Sequence, residues 1–179
     1  MSLFRECVKK HFDFLTRFGY IMSNDNNADI IKFIGKNNQL DVFFSKISYE
    51  LTCQFIDGDK TFSLQDGLEF GMIADYKGLY QVADKKEIEI GISYLAEAVK
   101  KLFERVDVSN PRNFQKIYQY RIDMHTKLLN QYYLETDLKK AEECWKRKDY
   151  AKAKEIFEKN IDYLSDSQRK KLDIINRKI

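Results

Sequence analysis

Hydrophobic residues follow a helical period at both ends of this chain and a strand period between them. The first helical stripe runs from Phe4 to Phe18 and ends at Gly19, a residue type that favours the left-handed C-terminal position of a helix. From Ile88 to Val106 the helical period returns with a strong apolar stripe. The spacing therefore predicts an amphipathic helix in each of these two segments.

Between these segments, short runs rich in Ile, Val, Phe and Tyr predict β-strands at 30–35, 40–45 and 47–56. Turn-forming residues separate the first two runs and follow the third, which indicates an antiparallel meander. One face of the third strand is expected to meet the core and the other to face water, because its apolar residues alternate with polar ones. These apolar residues are Ile47, Tyr49, Leu51, Cys53 and Phe55.

Capping residues predict where three further helices begin. Ser63, with Asp66 three residues later, caps a brief helix just after a fourth short strand, and Ser165 with Gln168 forms a capping box for a terminal helix. The pair at 110–111 ends one helix and starts another, because Asn caps well and Pro is tolerated at the first helical position.

Beyond this pair, two apolar stripes predict two more helices. The first stripe runs from Phe114 to Tyr132, and the second contains Leu134, Leu138, Ala141 and Trp145. The predicted fold class is α+β, with an N-terminal helix plus an antiparallel β-meander, followed by an all-helical C-terminal part. We expect residues 1–110 and 111–179 to dock as one unit, because no flexible Gly/Ser linker lies between them.

Residues 134–167 resemble one helical hairpin of the tetratricopeptide type. Ala141, Tyr150, Ala153 and Phe157 lie where this repeat places a small residue, a Tyr near the turn, an Ala and an aromatic residue. The residues at four other repeat positions differ from the usual pattern: Lys140, Cys144, Asn160 and Ser165.

Hairpins of this type hold partners rather than catalyse reactions, so the resemblance implies a protein partner on the concave face of the first helix. The residues at the corresponding positions are Glu135, Leu138, Glu142, Trp145 and Lys146. Leu138 and Trp145 also belong to the apolar stripe, so a packing role competes with binding for both of them.

Charge and cysteine content narrow the class of protein. Residues 1–110 contain 14 Lys and Arg against 17 Asp and Glu, and residues 111–179 contain 17 against 11. The basic excess of the second part allows weak attraction to an acidic partner, but a solvated helix surface explains it better.

Three cysteines, far apart and without a C-x-x-C pair, favour neither a disulfide framework nor a zinc site. No secretory signal or membrane-spanning run is visible, so we expect a soluble cytoplasmic protein.

The sequence offers little support for catalysis. Neither a glycine-rich phosphate loop nor a G-x-S-x-G turn is present, and the two histidines fall on helical apolar stripes, where packed residues are expected. We therefore expect no catalytic residues, no cofactor and no metal needed for folding.

One catalytic alternative rests on Arg121 and His125. The pair resembles the Arg and His of HEPN-type ribonucleases, although the spacing is shorter and Ile122 replaces the polar residue that follows the Arg in that family. At i and i+4 both side chains share one helix face, where a base could lie beside a phosphate-binding cation. Basic residues and tyrosines also alternate between 112 and 133, as in nucleic-acid-binding surfaces, although packing explains this pattern better.

The arrangement of an N-terminal helix, a meander and helices resembles a type of small bacterial cytoplasmic protein that includes immunity proteins, which neutralise partner toxins. Together with the hairpin, this resemblance implies a non-enzymatic protein-binding module. A nucleic-acid-associated protein or ribonuclease is the alternative. The sequence does not indicate the oligomeric state.

Overall fold

An N-terminal helix, an antiparallel β-sheet and a helical C-terminal part follow one another in the computed structural model, which describes residues 3–25, 27–82 and 84–178. The fold is α+β, as the sequence predicts. The α-helices are α1 Leu3–His11, α2 Leu64–Phe70, α3 Lys85–Val106, α4 Pro111–Lys146, α5 Tyr150–Lys159 and α6 Asp166–Asn176. The strands are β1 Ile21–Met22, β2 Ile30–Ile34, β3 Gln39–Ser45, β4 Glu50–Asp57, β5 Lys60–Ser63 and β6 Leu79–Gln81.

The sheet has the strand order β1-β2-β3-β4-β5, with every neighbouring pair antiparallel, and β6 also pairs with β4. One row of directly opposed residues crosses four strands and is buried along its length: Phe33, Leu40, Phe55 and Phe62. Since opposed residues in an antiparallel sheet lie on the same face, this row defines the face that packs on the core.

The third predicted strand begins later than expected. Residues 46–49 form a turn in which Tyr49 has a φ of 54°, so β4 starts only at Glu50. Ile47 is 96% exposed and Tyr49 is exposed, so the prediction that they face the core is wrong. The predicted alternation is confirmed for the rest of the strand, where Leu51, Cys53 and Phe55 are buried.

The predicted helix starts are confirmed. Ser63 and Asp66 form a capping box at α2, and Ser165 and Gln168 form one at α6. At α4 the side-chain oxygen of Asn110 accepts a hydrogen bond from the backbone N–H of Arg112 at 2.9 Å. The first predicted helix is correct in position but changes type, since α1 is followed by a 3-10 helix over 13–18 that ends at a left-handed Gly19.

α4 is a single helix of 36 residues, whereas the sequence predicts two helices in this region. Its residues from Tyr132 to Leu134 include neither Gly nor Pro, so the backbone has no local reason to leave the helical conformation. Residues 125–133 are all exposed, so the apolar stripe predicted there is not buried, and its shift near Tyr133 does not end the helix.

The chain divides into two compact units, residues 1–122 and 123–179, and the division lies within α4. The first unit has a core built from the sheet, α1, α2, α3 and the start of α4, which contributes Phe114 and Ile117. The second unit has its own core. The boundary predicted at Pro111 therefore marks the start of a helix, and the docking of the helical part remains a prediction.

Candidate functional site

The second unit contains a helical hairpin formed by the end of α4 and by α5, with α6 packed on α5. Its core contains Ala141, Ala153, Phe157, Leu164, Leu172 and Ile175, which are all buried. Alanine at 141 and 153 leaves room for a large aromatic ring, so Phe157 is fully buried between the elements. Asp149 starts α5 by accepting a hydrogen bond from the backbone N–H of Lys152 at 3.3 Å.

A shallow groove lies beside this hairpin, along one face of α4. Its lining residues are Glu135, Leu138, Lys139, Glu142, Glu143 and Lys146 from α4 and Gln168 from α6. Four of the five residues that the sequence singles out for partner binding therefore line one groove. They meet there because positions three or four apart on a helix lie above one another on the same face.

Trp145, the fifth predicted residue, does not line the groove. It is half-buried and packs on the second core, with its ring centroid 5.3 Å from that of Tyr150 in an edge-to-face arrangement. Lys178 Nζ lies 4.9 Å from the centroid of the same Tyr150 ring. These contacts give Trp145 a packing role, and its role in binding remains a prediction.

Charged side chains of both signs surround a half-buried Leu138 in the groove. Glu142 forms an ion pair with Lys171 of α6, and each side chain is about one quarter exposed. Glu135 accepts a hydrogen bond from Gln131 Nε2 at 3.1 Å. The ion pair anchors one wall of the groove, while Lys139 and Lys146 are exposed at its rim.

Three lining residues are absent from the sequence-based prediction: Lys139, Glu143 and Gln168. Lys139 lies four residues after Glu135, and Glu143 lies four residues after Lys139. Helical spacing alone could therefore have identified both. Gln168 has no such signal, because its place in the groove depends on how α6 packs. Its side-chain oxygen also accepts hydrogen bonds from the backbone N–H and the hydroxyl of Ser165, each at 2.9 Å.

Arg121, the first residue of the ribonuclease alternative, has structural partners. Its guanidinium donates hydrogen bonds to the carbonyl oxygen of Thr61 and, at 3.1 Å, to the Thr61 hydroxyl, and its Nε lies 3.9 Å from Asp66 Oδ2. His125 is exposed, so the expectation that it is a packed residue is wrong. The ribonuclease interpretation remains a hypothesis.

The cysteines and carboxylates do not gather into a metal centre in the part of the chain that the structure describes, where no three His, Cys, Asp or Glu residues lie close enough to hold an ion. Cys7 and Cys53 are buried, and burial raises the pKa of both thiols. A raised thiol pKa lowers the fraction of reactive thiolate. Across the described residues, no helix is both long enough and apolar enough to cross a membrane.

Comparison of the chain with family models, with curated proteins and with solved structures finds no match.

Proposed function

We propose that the protein acts by binding another protein in the groove along α4, without catalysing a reaction. The proposal rests on one observation: Glu135, Leu138, Glu142 and Lys146, selected from the sequence as partner-binding residues, line a single groove. The resemblance to a tetratricopeptide hairpin supports it, since Ala141, Ala153 and Phe157 are buried at the positions where that repeat needs packed residues.

The chemistry of the groove suits a protein surface. Leu138 offers an apolar floor, and carboxylates and ammonium groups alternate along the rim. Charges of both signs in a fixed arrangement select for a partner with the complementary pattern, which favours specificity more than raw affinity. The ion pair between Glu142 and Lys171 holds part of this pattern in place before a partner arrives.

The class of partner is inferred from the resemblance to small bacterial proteins that include immunity proteins. Small proteins with a helix, a meander and helices include immunity proteins, so we propose a toxin as the partner class. Such a partner would be neutralised by occupation of its surface, which requires a tight complex and no chemical step at the groove.

Site-specific photo-crosslinking tests the groove. A photoreactive phenylalanine analogue placed at Glu135 is expected to crosslink a discrete partner protein in the cells of origin. The same analogue at Lys170, an exposed residue of α6 outside the groove, is the matched control and is expected to give no such product.

Charge reversal gives an independent check. Lys146→Glu in the groove should abolish the crosslinked product from position 135, whereas Lys170→Glu should leave it unchanged. Equal products from positions 135 and 170, or a product that survives Lys146→Glu, would contradict binding in the groove.

A further inference from the structure

A cavity of about 750 Å³ lies in the first unit between the end of α1, residues 89–97 of α3 and the segment at 75–76. Its lining residues are His11, Asp75, Tyr76, Glu89, Ile90, Ser93, Tyr94 and Glu97. A volume of this order accepts a long side chain or a small molecule. None of these lining residues is a Lys or an Arg.

Two tyrosines form an aromatic wall in this cavity. The ring centroids of Tyr76 and Tyr94 are 5.6 Å apart, with the ring planes inclined by 45°, and the Tyr80 ring centroid lies 5.4 Å from that of Tyr94. The Tyr94 hydroxyl accepts a hydrogen bond from the backbone N–H of Lys77 at 3.1 Å and donates one to the carbonyl oxygen of Asp75 at 3.4 Å. These bonds tie the 75–77 segment to α3, so the wall is held in place without a ligand.

Carboxylates from two elements complete the cavity. Glu89 is fixed at its edge, with its Oε1 2.7 Å from Lys10 Nζ and 3.5 Å from His11 Nε2. The hydrogen bond from Lys10, and after it the contact with His11, lowers the pKa of Glu89, so this group stays ionised at neutral pH. Asp75 and Glu97 add two further carboxylates, and Glu97 also forms an exposed ion pair with Lys100 at 3.9 Å.

We propose that this cavity binds an organic cation, an ammonium or guanidinium group, between the Tyr76 and Tyr94 rings and the carboxylates of Asp75, Glu89 and Glu97. A cation over the face of an aromatic ring is attracted by the ring quadrupole, whose face is partially negative, and partial desolvation strengthens this attraction. The rings favour an organic cation over a metal ion, because a metal ion requires several oxygen ligands converging on one point. The site is separate from the α4 groove and does not depend on the proposed function.

The test is a titration of the isotope-labelled full chain, followed by backbone amide NMR shifts at constant ionic strength. Butylammonium and tetramethylammonium are the probes, and tert-butanol is the neutral control. Both cations should produce saturable shifts confined to 75–77 and 89–97, and tert-butanol should produce none there. Nα-acetyl-lysine methylamide distinguishes two sources of the cation: tighter binding than butylammonium indicates a lysine side chain of a peptide, and equal binding indicates a small amine.

Variants locate the binding. Tyr94→Leu and Glu97→Gln should each weaken binding at least fivefold, whereas the matched changes outside the cavity, Tyr163→Leu and Glu158→Gln, should leave it within twofold. Ser93→Lys places a tethered ammonium in the cavity and should block the binding of both probes. This variant tests whether the probes bind in the cavity even if Tyr94→Leu does not fold. Shifts scattered over the surface, equal shifts with tert-butanol, or undiminished binding in Glu97→Gln and Ser93→Lys would overturn the proposal.

Discussion

Trp145 contributes to the second core through its packing against Tyr150. We expect Trp145→Ala to lower the free energy of unfolding by about 3 kcal/mol, because removing a packed aromatic ring leaves a void. Urea unfolding followed by circular dichroism measures the change. Tyr163→Ala is the control, since this ring is 70% exposed, and its effect should stay within about 0.5 kcal/mol. Equal effects of the two variants would show that Trp145 is available for an interface instead.

Tyr20 links two parts of the first unit through a buried hydrogen-bond chain. Its hydroxyl donates to Asn38 Oδ1, and Asn38 Nδ2 donates to the carbonyl oxygen of Val108 at 2.9 Å. Tyr20→Phe leaves a buried acceptor without its donor, so we expect a loss of about 1–2 kcal/mol at neutral pH, measured by urea unfolding. Tyr163→Phe, at an exposed ring, should cost nothing measurable.

The stability difference between the wild type and Tyr20→Phe should depend on pH. Burial, with a smaller contribution from Asp107, raises the pKa of Tyr20 in the folded state. The unfolded tyrosine ionises near pH 10, so the folded state holds this proton more tightly. The stabilisation that depends on this proton is fully present below about pH 10 and is lost as the pH rises further. The difference between wild type and Tyr20→Phe should therefore shrink above pH 10, and a constant difference would contradict this account.

At the scale of elements, the sequence predicts four strands, which correspond to β2, β3, β4 and β5, and misses β1 and β6. β1 has two residues and β6 has three, which is too short for a period of two to appear. Their existence depends on pairing with β2 and β4, which the local sequence does not encode. The start of β4 is misplaced for a related reason, since the apolar Ile47 and Tyr49 continue the alternation although the backbone turns there.

The two candidate sites differ in the same way: one lies mostly on a single helix, and the other is formed by segments that are far apart in the sequence. The groove is predictable in large part because six of its lining residues lie on one helix, and only Gln168 comes from elsewhere. The cavity lined by Tyr76 and Tyr94 is not predictable, because its lining comes from three segments separated along the chain. Packing brings His11, Tyr76 and Glu89 together, and no spacing in the sequence indicates this.

The continuity of α4 can be tested with proline. Tyr133→Pro removes a helical hydrogen bond and introduces a clash, so it should cost about 3 kcal/mol and lower the helix content. Asp166→Pro is the control: it lies at the first position of α6, where proline is tolerated, and should change stability by at most roughly 0.5 kcal/mol. If two helices instead met near Tyr133, both variants would be equally mild in circular dichroism and urea unfolding.

For the whole molecule, the start of α4 determines where the chain can be divided. Phe114 is buried and its ring centroid lies 4.8 Å from that of Phe62, so the first core needs residues beyond 110. We expect a fragment of residues 1–122 to unfold cooperatively on heating. A fragment of residues 1–110 should not, because losing Phe114 and Ile117 each costs several kcal/mol, on the order of 3 or more. Equal melting temperatures for the two fragments would contradict this boundary.

The position of the single tryptophan also provides a built-in optical reporter. Because Trp145 belongs to the core of residues 123–179, its fluorescence emission monitors the solvation of that unit alone. All six described strands lie in the other unit, so a fluorescence transition and a strand-specific infrared transition report on different parts of the same chain. Coincident midpoints in one denaturant series would show that the two cores unfold together, and separate midpoints would show that each core unfolds on its own.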